Sequence, residues 1–573
     1  MDRSLWRAAG LLCFVTSSSY GAVRWANEAG NPFRRTDFAD IHFKLNSATA
    51  LSLVSDGDPA VAIQAALDAW NAVPHTALHF APLEATTAGI DPSDRQNVIA
   101  FAATPAERSA VGSAAAITVL SYSSDGRVLD SDIILNPAVK FSTTLQPNSY
   151  DLQSVLTHEF GHALGANHAT ITSATMFYKM QLQDNSKAQL KPDDASFAAD
   201  VYPGPGAIEA YGLITGTATK DGVALPGAAV VAADPSSGIA IGGLSSLPDG
   251  AFSLRVPAGN YLLFAAPLTG AITPANLYNV PVAKADTAFK AAVSGGSDNP
   301  ARIRIEGGAT VNADVAAVGG ASPLDILTVG KIVTSNGVSS FTIAAPPVVA
   351  QAGQALDFIV SGPGLDGSIA EDNLRLIGPG VTIRAGSLRV ETRVKDADGR
   401  SPLRFTIDIA PPSGTASVSL FIVRGSDTAL SAGSLLIIPP KPVFDAANLV
   451  DAGSFRGAGI APGELISLFG AGVGPAAPVG NNGFDPATGA LPTALAGLSV
   501  TFDGVPAPLI FASNGQVNLQ VPYEVAGRAS SIVIVRNQGI ASDPVSVPVV
   551  LAQPGIFMQA GASQAIASTR TPR

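Results

Sequence analysis

Along the first two hundred residues the apolar positions alternate between two periods. Residues 41–45 (Ile-His-Phe-Lys-Leu) alternate in and out and predict a first strand. Asp58-Pro59 offers an N-cap followed by a proline suited to the first helical turn. The spacing after it predicts a helix to about Asn71, with Val61, Ala65, Leu67 and Trp70 available for packing. Residues 78–83 and 98–102 read as further strands. Residues 115–122 and 128–135 flank Ser123-Ser124-Asp125-Gly126-Arg127, whose Asp-Gly pair marks a hairpin. Residues 151–164 are predicted helical, and Lys191-Pro192-Asp193-Asp194 opens a last helix ending near Tyr202. Beyond Pro203-Gly204-Pro205-Gly206, which reads as a stiff linker, helix signals nearly vanish. Val, Ile, Leu and Thr alternate there between Gly, Pro and Asp turns, the pattern of β-sandwich modules.

Composition sharpens this picture. At about 150 residues per domain, a chain of 573 residues has room for about four domains. Hydrophobic residues make up 47% and charged residues 14%, so the chain is not a disordered charged tail. Its 57 glycines and 42 prolines agree with many turns and short strands. The net charge of −11, with no basic stripe to reverse it, excludes nucleic acid as the main partner. Cys13 is the only cysteine, which excludes intramolecular disulfides, Cys-ligated zinc, iron–sulfur clusters and cysteine nucleophiles in the rest of the chain. Arg3, Arg7, the apolar run 5–15 and the small residues up to Ala22 read as a secretory signal peptide; the other reading is a buried N-terminal helix. No later stretch has the ~18 to 20 apolar residues of a transmembrane segment. The expectation is a secreted, extracellular protein.

All six histidines lie in the first 168 residues, so transition-metal or imidazole chemistry is confined to the N-terminal third. The strong motif is His158-Glu159-Phe160-Gly161-His162-Ala163-Leu164-Gly165-Ala166-Asn167-His168. On a helix His158 and His162 share a face. Gly165, one turn later, readily takes positive φ, and a reversal there swings His168 to the same point. Three neutral imidazoles leave a tetrahedral zinc ion (Zn2+) one open position, the catalytic arrangement. Glu159 stands beside the first ligand and can reach a water there without binding the metal. This is the constellation for metal-assisted amide hydrolysis, with Glu159 as general base and acid. His42, His75 and His79 read as ordinary strand or turn histidines.

The histidine pattern resembles that of metzincin metalloproteases, and residues about 23–203 are most similar to the matrixin branch in its compact bacterial form. Met176, in Ser173-Ala174-Thr175-Met176-Phe177-Tyr178, matches the Met-turn beneath the zinc in that clan. The 190–203 stretch resembles the final matrixin helix, and 129–136 the strand before the active-site helix. The resemblance implies a substrate peptide added antiparallel to an edge strand, here around 115–120. Ala169 stands where vertebrate matrixins usually have Ser, and Tyr178 near an expected Pro. The Met-x-Tyr order resembles astacin-like and serralysin-like enzymes, whose Tyr approaches the zinc or the oxyanion; Tyr178 is a candidate for that role or a packed ring below the site. The resemblance also makes Asp125, Asp130 and Asp132 candidate calcium (Ca2+) ligands, the other reading being turn and solvent-face carboxylates.

Downstream, Gly212-Leu213-Ile214-Thr215-Gly216, Leu225-Pro226-Gly227-Ala228, Pro248-Asp249-Gly250 and Pro257-Ala258-Gly259-Asn260-Tyr261 resemble the carboxypeptidase regulatory-like, transthyretin-like fold. Asn448, Ser454-Phe455, the 461–470 run, 505–510, 514–518 and Pro554-Gly555-Ile556-Phe557 resemble a C-terminal β domain of large exported bacterial proteins. The expected fold class is therefore multidomain. A signal peptide (1–22) precedes an α/β (α+β) metzincin catalytic domain with a mixed twisted sheet and an active-site helix (23–205). Three all-β sandwich-like domains follow: 209–320, an immunoglobulin-like 321–440, and 441–573. The expected function is a secreted zinc metalloendopeptidase acting on proteins or peptides, with surface or matrix association through its β domains. The alternative is a non-catalytic surface or adhesion protein with a metalloprotease-like binding domain.

Overall fold

The computed structural model describes residues 23–48, 58–245, 249–278, 285–335, 338–344, 346–410, 415–457, 459–475, 477–481, 483–484 and 489–555. The expected signal peptide with Cys13, together with Pro248, Ile556 and Phe557, lies outside them.

The first unit is a mixed sheet carrying helices. Strands β1 (Arg34–Arg35), β2 (Phe43–Asn46), β3 (Glu84–Thr86), β4 (Asn97–Phe101) and β6 (Arg127–Leu135) pair in parallel in the order β1-β6-β4-β2-β3. Strand β5 (Ala116–Tyr122) is the exception. It returns through the Asp125-Gly126 hairpin, pairs antiparallel with β6 from Ala116 opposite Leu135, and is an edge strand. The expected edge around 115–120 is thus present.

Helix α1 (Pro59–Asn71) starts where its cap signal stands, the Asp58 carboxylate accepting from Ala60 N at 2.9 Å. Its inward face is Ala62, Ile63, Ala66, Leu67 and Trp70. Val61 and Ala65, expected to pack, instead line a cavity of about 730 Å³ shared with residues 189–193 and with the later modules at Ile438, Thr501 and Arg536. Trp70 Nε1 donates to Thr157 O at 2.8 Å, fixing α1 against helix α3 (Leu152–Ala163). Phe160 of α3 packs at 4.9 Å on Phe43 and 5.5 Å on Phe80, joining helix to sheet.

Two local expectations are corrected. Residues 78–83 form one bridge, Phe80 to Ile41, and no ladder. The bridge uses His79 O and Ala81 N, the Asn71 side chain takes the N–H and the C=O of Phe80 on the opposite side, and regular pairing resumes at β3. Helix α2 (Pro105–Val111) is additional; Thr104 and Glu107 close a reciprocal capping box at its start.

Each later module is a pair of sheets around its own core. The second (211–317) has two five-stranded sheets. The third (328–438) has six- and four-stranded sheets, and the last (449–548) five- and six-stranded ones. They are not beads on free linkers. Gly204 lies against Thr76, where an added Cβ would sit 2.4 Å from its carbonyl carbon, and Gly204 N donates to His75 O. The strand Ala229–Ala233 is buried throughout: Val230 and Ala232 face their own sandwich, whereas Val231 and Ala233 join the core of the first unit. Phe264 belongs to that shared core and meets Phe421 of the third module at 5.3 Å.

A continuous core makes the modules one cooperative unit in unfolding. Phe264→Ala is expected to cost about 3 to 5 kcal/mol and to shift a single calorimetric transition carrying the first three modules. A separate transition for the second module, moving alone, would contradict the shared core.

Candidate metal centre

Helix α3 supplies the first two donors. Asp151 caps it, accepting from Ser154 N at 2.8 Å. His158 and His162, one turn apart, bring their Nε2 atoms to 3.1 Å. The helix then closes on glycine: Gly165 has φ +94°, its N donates to His162 O, and Ala166 N reaches back to Gly161 O. A Cβ at Gly165 would stand 2.4 Å from the Phe33 carbonyl oxygen, so space as well as backbone requires glycine. The reversal brings in His168. Nitrogens of the three rings lie within 4.8 Å of one another, the one group of three or more potential ligands among the described residues.

Each ring gives its Nδ1 to a carbonyl: His158 to Thr175 O at 2.8 Å, His162 to Ala166 O at 2.9 Å, His168 to Asn276 O at 2.6 Å. A carbonyl only accepts, so each Nδ1 carries the proton and each neutral ring presents a bare Nε2 lone pair. Two such lone pairs 3.1 Å apart cannot bond to each other. Protonating a ring would relieve them, but burial presses all three imidazoles below their ordinary range, His162 to about 3 and His168 to about 4. A cation between the nitrogens satisfies them, and a donor set of three neutral imidazoles fits zinc.

The floor of the site hangs on one carboxylate. Asp194, in the first turn of helix α4 (Pro192–Val201), accepts from Thr175 N and Met176 N at 2.9 Å each and from Lys191 N at 2.8 Å. That fixes the turn whose Thr175 carbonyl orients His158. Met176 is buried beneath, its Sδ occupying the place a Cβ at Gly161 would need, at 2.2 Å. Gly161 is a residue the motif reading passed over, and its signal was a glycine inside a helix that has no need of one.

Glu159 is 5% exposed. The Thr118 hydroxyl of β5 lies 2.7 Å from its carboxylate and 3.0 Å from its own carbonyl. Burial pushes this carboxyl up to about 7, while the Thr118 hydroxyl pulls the other way.

Tyr178 lies edge-on to His168 at 6.1 Å between centroids and packs with Phe177 at 4.9 Å. Sequence reasoning missed a second tyrosine. Tyr278, from the second module, stands 5.0 Å from His168 and 5.5 Å from His162 and stacks on Trp25 at 4.6 Å. Nothing local in the sequence marks it, because its partners are more than a hundred residues away. The candidate calcium ligands do not converge. Asp125 bonds Ser123 and Arg127 at the hairpin tip, Asp130 accepts from Arg95 N, and Asp132 accepts from Val98 N and Asp91 N. The two buried ones anchor the 91–98 segment. His42 sits at the surface between Asp40 and Glu84, and His75 and His79 are exposed; none joins the triad.

Three imidazoles on a helix and its glycine-terminated continuation, floored by a methionine turn, form a candidate metal centre. In agreement, residues 35–203 match the family model of the matrixins (peptidase M10), so the first unit is a matrixin-like domain within a longer chain. No curated protein matches the chain. Among solved structures it is similar to the SGBP-B protein of the Bacteroides ovatus mixed-linkage glucan utilization locus, solved with a mixed-linkage heptasaccharide. That match has 12% identity over 59% of this chain and 66% of that one, with a TM-score of 0.16. A DUF3823 family protein from Parabacteroides merdae matches at 10% identity over 40% of this chain and 99% of that one, TM-score 0.13. The Bacillus anthracis TIE protein matches at 8% over 40% and 50%, TM-score 0.13. Likenesses at these scores carry no argument about fold or function.

Gly161→Ala tests the floor. Alanine favours a helix, but its Cβ meets Met176 Sδ and, at 3.1 Å, the Trp70 ring, both part of the buried core. The expected result in urea unfolding is a loss of about 1 to 3 kcal/mol. An unchanged or raised midpoint would show that Met176 moves aside freely.

Proposed function

We propose that residues 23–205 form an exported zinc-dependent endopeptidase of the metzincin type that hydrolyses peptide bonds of protein substrates. The observation that carries this is the convergence of the three imidazole nitrogens, on a helix whose next residue after His158 is the buried Glu159. His158, His162 and His168 hold the zinc, which when bound polarises the scissile carbonyl and acidifies a water toward a pKa of ~7.

The chain's own groups do the rest. Glu159, the residue after the first metal ligand, takes a proton from the attacking water and returns it to the leaving amine. Edge strand β5 offers its free side to an extended peptide running antiparallel, and Thr118 ties that strand to Glu159. One strand thereby aligns both the substrate backbone and the base. Met176 and Gly165 hold the ligand geometry, and Tyr178 serves as packing beside His168. The leader (1–22) directs export, and no described helix is long and apolar enough to cross a membrane. The second module is a carboxypeptidase regulatory-like sandwich, the third immunoglobulin-like, and the last a module of exported bacterial proteins that associates with a surface or matrix.

The test is zinc per chain by elemental analysis, paired with cleavage of an unfolded protein by wild type and Glu159→Ala. One zinc per chain is expected in both, with cleavage falling by about 10² to 10⁴ in the variant. Zinc with no cleavage of any unfolded substrate would favour a binding protein built on a metalloprotease-like domain. Wild-type protein that takes up no zinc would overturn the reading of the histidines.

A further inference from the structure

The orienting carbonyls of the three rings have unequal origins. Those for His158 and His162 come from the matrixin-like domain, from Thr175 and Ala166. The carbonyl for His168 comes from Asn276, in the second module. The segment that brings it is built for the purpose. Thr273 N and Oγ1 both bond the Asn276 side chain, closing the short 3-10 turn Pro274–Asn276, and the backbone carbonyl of Asn276 is left facing His168. Leu277 is buried with Val23, Phe177, Leu268 and Ile272. Asn167 clasps the next residue on both sides, its Nδ2 donating to Tyr278 O at 2.7 Å and its Oδ1 accepting from Tyr278 N at 2.9 Å. The same Oδ1 accepts from His168 N at 2.8 Å. The Tyr278 ring, stacked on Trp25, then lies over His162 and His168.

A spacer module has no reason to direct a carbonyl, an amide clasp and a stacked ring at one metal ligand. Resting on the zinc-centre reading, we infer that the 273–278 segment is a positioning element of the metal centre. It holds His168 in the tautomer that offers Nε2, so the second module is part of the metal site. His168 lies beyond the helix end, where no helical backbone fixes its ring. Without the Asn276 carbonyl its proton is free to occupy Nε2 and block ligation. Coupling of this kind is reciprocal: whatever docking of the segment adds to metal affinity, bound metal adds to docking.

The experiment uses the full chain. Zinc affinity is measured by competition with a chelating dye, the Co2+-loaded absorption spectrum is recorded, and amide hydrogen exchange over 273–278 is compared with and without zinc. Tyr278→Gly and Asn167→Ala are each expected to lose about 10- to 100-fold in zinc affinity and to shift the Co2+ bands. Chelation is expected to speed exchange of the Tyr278 amide, a comparison that needs no substitution and so survives a variant that fails to fold. Equal affinities and spectra in all variants, with equal protection in the metal-free chain, overturn this inference while leaving a zinc-binding, cleaving wild type intact. Wild type that binds no zinc overturns this inference and the protease reading together.

Discussion

Everything at this site follows from where three protons sit. An imidazole has one hydrogen to place when neutral, and placing it on Nδ1 is what leaves Nε2 for a metal. The chain makes that choice three times by putting a carbonyl against each Nδ1, and burial keeps a second proton off the rings. The three carbonyls come from a turn floored by methionine, a glycine-terminated helix end and another module. The centre is therefore assembled from three separate parts of the chain, one of them in another module.

Rigidity reaches the site through few atoms. One carboxylate, Asp194, holds two successive backbone amides of the methionine turn and caps its own helix. The neighbouring Asp193 accepts from Gly242 N of the second module. Immediately after the third histidine, Thr172 N bonds Ala432 O, and Ser173 bonds Ser417, both in the third module. The chain beyond His168 is thus braced from outside its own domain, while β5 keeps one edge free.

What the sequence made legible was what its own neighbours dictate. The i, i+4 histidines, the glycine that ends their helix, the Asp58 cap and the Asp-Gly hairpin all declare themselves within a few residues, and the structure has each of them. The strand expected at 78–83 is one bridge, Phe80 to Ile41, whose other side is held by the Asn71 side chain in place of a neighbouring strand. Helix α2 was legible in Thr104-Pro105-Ala106-Glu107 and went unread. Tyr278 was not legible at all. Local order pointed to Tyr178, two residues past the methionine, whereas the ring nearer His168 arrives from the segment after the 3-10 turn Pro274–Asn276 of the second module. Alternation likewise told which residues face a sandwich core but not that an outer face is also covered.

The strand Ala229–Ala233 has no side left for water. A module of this kind cannot be inherited, exchanged or lost as a separate cassette. A recombination event that placed this sandwich behind another domain would expose Val231 and Ala233 as a sticky stripe, and the matrixin-like domain left behind would lose the cover of its own core. Selection then acts on the pair as one gene unit. Divergence in the 229–233 strand has to be matched by compensating change in the matrixin-like core it touches, much as two faces of a dimer interface drift together.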